Sequence, residues 1–197
     1  MWLTSTFGDL MVKKEFKDTN LWIDSTDFPI YKPKGADKKS PSWSYKLNSI
    51  GRRYMVLCDG KRKVRKLWGG YSPKIYDGHF LEMHKDWLNE NLKGSTVVTD
   101  NHFSWGRKNL KNVKFLVNYP ESNENGEENS KDEIKKLTKE KKKFNENHKH
   151  CRARVESPFG IVKSKFKILS MKTQEREEQQ DLIVKYAFGL FNASLKD

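Results

Sequence analysis

The chain is predicted to fold as a mixed α/β sheet flanked by helices. Three features of the sequence carry that reading. Strand-like runs fill much of the first 118 positions, two helical patterns close the chain, and a helical pattern separates one strand run from the next. A strand–hairpin start followed by a helical crossover brings the later strand back parallel to the first, since such crossovers are right-handed.

The elements follow in order. "NLWIDSTDFPIYK", 20–32, alternates Leu21 and Ile23 with Trp22, Asp24 and Thr26, the period of a strand, and Pro29 and Pro33 end it. "RRYMVLCDGKRKVRKLW", 52–68, sets Asp59-Gly60 between two strand-like runs, a hairpin signal, and Gly69-Gly70 closes the second run. Over 77–94, Phe80, Met83, His84, Trp87, Leu88, Asn91 and Leu92 fall at helical spacing, with Asp77 as N-cap and Gly94 as stop. "STVVTD", 95–100, is a short β-branched strand that ends in an acid, and "VKFLVN", 113–118, is a further strand. Residues 121–133 read as a mobile acidic surface loop.

From about Lys135 an apolar stripe runs through Phe144, His148, Cys151, Val155, Phe159, Val162, Phe166 and Leu169 at steps of three and four, and its ordinary role is core packing. Pro158 interrupts it. Ser157-Pro158 can start a new helix, but the stripe keeps phase from Val155 to Phe159, so a kinked continuous helix is expected. A last helix, about 173–191, carries Leu182, Ile183, Tyr186, Ala187, Leu190 and Phe191 on one face. Length fits one domain spanning 1–197, with a core over about 20–170 and that closing helix.

Charge narrows the partner. The 39 Lys and Arg exceed the 26 Asp and Glu, a net charge of +13, and 121–133 alone hold six of the acids. A surplus of this size points to a polyanion, with nucleic acid ahead of ribosome-like or anionic-membrane binding. No run of about eighteen apolar residues predicts a membrane span, and the N-terminus lacks the apolar core of a signal peptide. Cys58 and Cys151 make no disulfide framework and fit a reducing compartment, so the sequon at Asn192 carries no weight.

In the predicted sheet, "STVVTD" lies parallel and adjacent to "LWID". Asp24 then sits on one strand and Asp100 at the carboxyl end of its neighbour, where a packed helix can present Glu156. Three carboxylates on rigid elements suit a hard divalent cation, Mg²⁺ or Mn²⁺. A pair of such ions about 4 Å apart activates water and stabilises the leaving oxygen in phosphodiester cleavage. The competing reading of Glu156 is a solvated basic face with an intrahelical pair to Arg152.

The blocks "IDSTDFPIYKP", "SYKLNSIGRRYMVLCD", "GGYSPKIYDG" and "KKLTKEKKKFNENHKHCRARVESPFGIVKSKF" resemble, in order, the DDE-superfamily endonuclease domain of PIF/Harbinger-type transposases. "LIVKYAFGLFN" is similar to that family's closing helix, so the likeness runs over about residues 21–192. The resemblance implies an RNase H-like fold and metal-dependent cutting and joining of DNA ends. It places the family's first Asp on Asp24, the second on Asp100 and its Glu on Glu156. Asp77 matches a further acid usually seen there, which an N-cap explains equally well. The chain departs from the family after Asp100, where Asn101-His102-Phe103 replace a turn containing Gly and Tyr, and at Pro158. Only 23 residues precede Asp24, too few for the family's helix-turn-helix region. A truncated copy, partial gene product or domesticated remnant is therefore expected, with end recognition missing or supplied by a separate DNA-binding protein. The resemblance also implies a nuclear location in a eukaryote, or a cytoplasmic one otherwise.

Lys149, Arg152, Glu156, Gly160, Lys163 and Lys167 fall near one helical face, and Lys46, Arg52 and Arg154 join Arg152, Lys163 and Lys167 as expected DNA contacts. Arg53 lies in the same block as Arg52 and is a further candidate DNA contact, though strand-edge lysines have structural uses too. Trp43 and Trp105, in polar loops, are further candidates, whereas Trp22, Trp68 and Trp87 belong to elements that need core. His148, His150, Cys151 and Cys58 match no zinc-finger spacing, and the cysteines are better read as small core residues than as nucleophiles. Two function classes follow. One is a Mg²⁺-dependent endonuclease and strand transferase, favoured by the complete triad. The other is a non-catalytic DNA- or protein-binding module that kept the fold, favoured by the short N-terminal segment.

Overall fold

A computed structural model describes residues 19–31, 34–103, 106–119, 139–171 and 177–195. The acidic stretch 121–133, Trp105 and the side chains of Arg154 and Val155 lie outside the described residues.

Strand β1, Thr19–Pro29, forms the centre of the sheet. It pairs antiparallel with β3, Ser49–Asp59, with Asp24 opposite Val56. Its other edge pairs parallel with β5, Thr96–Val98, in a register that sets Trp22 beside Val98. Strand β6, Lys114–Leu116, lies parallel on β5. Strand β3 also carries the short β2, Trp43–Ser44, and β4, Val64–Tyr71, both antiparallel. The sheet order β2–β3–β1–β5–β6, with β4 also on β3, is the mixed sheet expected of an RNase H-like fold.

Side-chain alternation divides the core between two faces. Trp22, Val56, Cys58 and Val98 face one layer of helices, α3 (Lys139–Lys165) and α4 (Glu177–Ser194). Ile23, Leu57 and Val97 face the other, α1 (Asp77–Met83) and α2 (Lys85–Asn91). Cys58 and Cys151 are buried in the first of these cores. Helix α3 runs unbroken through Pro158, so Ser157-Pro158 starts no new helix. The helix ends at Lys165, and Lys167 lies in the 3-10 turn Lys167–Ser170 that follows.

Several local expectations are corrected. The hairpin forms through a longer turn: the Lys61 and Lys63 amides donate to Asp59 Oδ1 at 2.9 and 3.0 Å. Arg62, and not Gly60, takes the left-handed conformation (φ 68°). Gly69 and Gly70 do not close β4 but lie inside it, since a side chain at Gly69 would run into the Tyr54 ring. Asp77 is no N-cap. Tyr76 holds that position, and the Asp77 carboxyl is buried against Arg53. The predicted helix over 77–94 is two helices that break at His84 (φ −114°, ψ 16°), where the imidazole meets the Tyr71 hydroxyl at 2.8 Å. Trp43 is a core residue on β2.

Helix α4 buries part of the predicted face: Ala187 and Phe191 are buried and Ile183 packs against the core, joined by Val184 and Phe188, while Leu182, Tyr186 and Leu190 are exposed. Both faces are apolar, so periodicity alone does not choose between them; polar hooks do. Asp181 accepts from Arg52 Nη2 at 3.3 Å and from the Tyr54 hydroxyl at 2.5 Å. Three turns on, the Asn192 side chain exchanges two 2.8 Å hydrogen bonds with the Val64 backbone of β4.

Gly69 gives a direct check on this packing. Gly69→Ala forces a methyl against Tyr54 and is expected to cost about 1–3 kcal/mol, the usual range for overpacking. Urea denaturation should show it as a lower midpoint at unchanged slope.

Candidate active site

Parallel pairing places the first two acids. Asp24 follows Trp22 by two residues and Asp100 follows Val98 by two, so both carboxylates leave the sheet on the face covered by α3. Asp24 is almost wholly buried and accepts from the Ser25 amide at 2.7 Å. Asp100 is half-buried and receives the His102 amide at 2.9 Å. The Asn101–Phe103 turn that departs from the family pattern thus still supports the second acid.

Helix α3 brings the third. His148 is buried on the sheet side of the helix, its Nε2 3.1 Å from the Leu116 carbonyl. One turn later Arg152 faces the strand ends, and a turn beyond that stands exposed Glu156. The guanidinium of Arg152 joins all three acids. Its Nη2 lies 3.0 Å from Glu156 Oε1 and 3.5 Å from Asp24 Oδ2, and its Nη1 lies 3.6 Å from Asp100 Oδ2. The family described as DDE superfamily endonuclease matches residues 23–192, nearly the whole chain. The chain belongs to that family. No curated protein and no solved structure matches it.

Within this endonuclease domain the Asp24–Asp100–Glu156 set has the donor chemistry of a hard-cation site, since oxygen ligands alone surround one positive charge. Among the described residues no three acidic, His or Cys side chains form a group that could hold a metal ion, and these three acids each approach the Arg152 guanidinium instead. The carboxylates fit a divalent ion in donor type, and in this structure they converge on the Arg152 guanidinium.

Electrostatics mark Asp24 as the strained member. Burial pushes its pKa up to about 6; Arg152 opposes that rise, Asp100 adds to it, and Lys46 and the Ser25 amide oppose it. His148 is held below the ordinary histidine range, chiefly by burial, and serves as a neutral anchor for α3.

The expected DNA contacts divide. Lys46 reaches over the strand end, its Nζ donating to Ser25 Oγ at 3.0 Å and to the Ser25 carbonyl at 3.2 Å. Lys163 is half-buried with its ammonium 5.1 Å from the Phe28 ring centre, and burial holds its pKa down. Lys167 is exposed. Arg52 is placed otherwise: its side chain is 12% exposed and tied to Asp181, so it fixes α4. Arg53 is also structural, with Nε and Nη2 donating to Asp27 at 2.8 and 3.2 Å.

Sequence reasoning missed this last network. Asp27 lies on the face opposite Asp24, where Ser44 Oγ donates to it at 2.6 Å and Arg53 links it to Asp77. The signal was an acid, Asp27, at strand spacing among buried positions. It becomes legible only once Arg53 is known to lie directly across the β1–β3 ladder from it.

Asp24 yields a pH prediction for the metal-free domain. Its folded pKa stands above the unfolded value, so the fold is favoured when Asp24 is protonated and loses that advantage as pH rises from about 4 through about 6. Asp24→Asn should therefore be more stable than the parent at pH 7, by up to about 3 kcal/mol at 1.36 kcal/mol per pKa unit. The gain should vanish near pH 4. Thermal melts in a chelator across this range check it, and a variant less stable at pH 7 contradicts it.

Proposed function

We propose that this chain is a transposase-derived, metal-dependent DNA endonuclease and strand transferase of the PIF/Harbinger type. The observation that carries the reading is the convergence of Asp24, Asp100 and Glu156, from two paired strands and one helix, on a single cation. Asp24, Asp100 and Glu156 would hold Mg²⁺ or Mn²⁺. A pair of bound ions would supply an activated water or 3′-hydroxyl and would stabilise the leaving oxygen of the phosphodiester.

The protein's own part is positioning. The sheet fixes Asp24 and Asp100, and His148 fixes the turn of α3 that carries Arg152 and, one turn on, Glu156. Lys46 and Lys163 border the strand end, and with Arg152, Arg154 and Lys167 they would hold phosphates without reading bases. A nuclear location belongs to the same proposal if the source is eukaryotic.

A second reading, a domesticated module that binds DNA or protein without cutting, draws on Arg152, which already pairs with all three acids. Incubation with nonspecific DNA and Mg²⁺ or Mn²⁺ separates the two. The endonuclease nicks or cuts, and Asp24→Asn abolishes cutting; DNA binding without cleavage in either ion favours the module.

Glu156→Gln should lower cleavage by orders of magnitude, since members of a catalytic unit fail together. Its thermal stability should barely change because Glu156 is exposed. DNA affinity without metal should hold or rise slightly. DNA binding should also fall steeply with salt, with a log–log slope near −0.9 per phosphate contact on duplex DNA. Salt-insensitive binding would instead indicate a protein partner.

A further inference from the structure

We infer that Arg152 is an internal cation that competes with the divalent ion for Asp24, Asp100 and Glu156, and that it leaves them for the DNA phosphate when the ion enters. The inference rests on the metal reading above and adds a coupling to it: ion and DNA each favour the other's binding because each favours the displaced arginine.

The geometry argues for exchange over coexistence. Two nitrogens of one guanidinium are divided among three carboxylates. An ion bound by those same oxygens would lie against the guanidinium, and like charges at such range repel strongly. One of the two has to move.

The structure indicates which. Asp24 is on the central strand with its side chain 7% exposed, and Asp100 is pinned by the His102 amide. The Arg152 side chain is long and 32% exposed. Its hold on the aspartates is also loose. At 3.5 and 3.6 Å these are ion pairs beyond good hydrogen-bond length, and only the 3.0 Å contact to exposed Glu156 is tight. With His148 anchoring the helix a turn earlier, the backbone can stay in place while the side chain swings out. Gly160, a turn past Glu156, leaves open space on the same helix, so a phosphate backbone can approach the freed guanidinium.

The test is calorimetric titration of Mn²⁺ into the whole chain without DNA. Arg152→Gln should bind Mn²⁺ about tenfold more tightly or better, within the usual range of coupled sites. Arg152→Lys, whose single amine cannot span three carboxylates, should fall between Gln and wild type. Arg65→Gln, which removes the same charge from an exposed residue on β4 paired with Asp59, should match wild type. A short DNA duplex with Ca²⁺ should then tighten ion binding to wild type and do so much less in Arg152→Gln. Mn²⁺ binding in Arg152→Gln no tighter than wild type overturns the inference. So does a gain that leaves the DNA coupling intact, because that is a general charge effect. If Arg152→Gln does not fold, Arg152→Lys decides: wild-type affinity and full coupling in it count against displacement. Wild type that binds Mn²⁺ and loses it in Asp24→Asn, while Arg152→Gln gains nothing, leaves the metal reading standing and removes only the competition. Absence of Mn²⁺ binding in wild type and Arg152→Gln alike removes both.

Discussion

A central strand buried on both faces cannot carry charge without a partner for each carboxylate, and β1 carries one on each side. Asp27 is fully provided for: Arg53 donates to it through Nε and Nη2, and Ser44 adds a hydroxyl at 2.6 Å. Asp24, three residues earlier on the other face, has the Ser25 amide and a guanidinium at 3.5 Å. Burying a carboxylate costs several kcal/mol unless it is paired and hydrogen-bonded. The difference in provision separates a carboxylate that stabilises the fold from one left with unmet demand for positive charge. The same strand thus braces β2 and α1 on one side and keeps a less fully partnered acid on the other.

Much of this was legible in the sequence, and for identifiable reasons. The strands showed through period-2 alternation, and the long helix through a stripe that holds its phase across Pro158, where the helix is indeed unbroken. Asp24 and Glu156 lie in recognisable blocks, Asp100 ends a short β-branched run, and the structure brings all three onto one guanidinium. What stayed hidden depends on partners distant in the chain. Arg52 looks like any basic strand residue until Asp181, far along the sequence, takes it. Helix α4 is apolar on two faces, and only the contacts of Asp181 and Asn192 decide which one turns in. Asp77 resembled a cap because local spacing cannot reveal Arg53 across the fold.

Helix α3 has to answer two demands within one stretch. Its sheet side supplies His148, Cys151, Phe159 and Val162 to the core. Its neighbouring edge presents Arg152 and Glu156, one a partner of the buried aspartates and the other facing solvent. Among the described residues no helix is long and apolar enough to cross a membrane.

The pairing of Trp22 with Val98 also governs how the chain's length is free to drift. Insertions in the crossover between β1 and β5 leave the two aspartates side by side, provided β5 returns to the same register. The two-residue interval from Val98 to Asp100 has no such freedom. One residue gained or lost there moves the carboxylate out of the place where Arg152 Nη1 reaches it. Long spacings between the acids are therefore loose in this architecture, while the short count from the last paired residue to each acid is fixed.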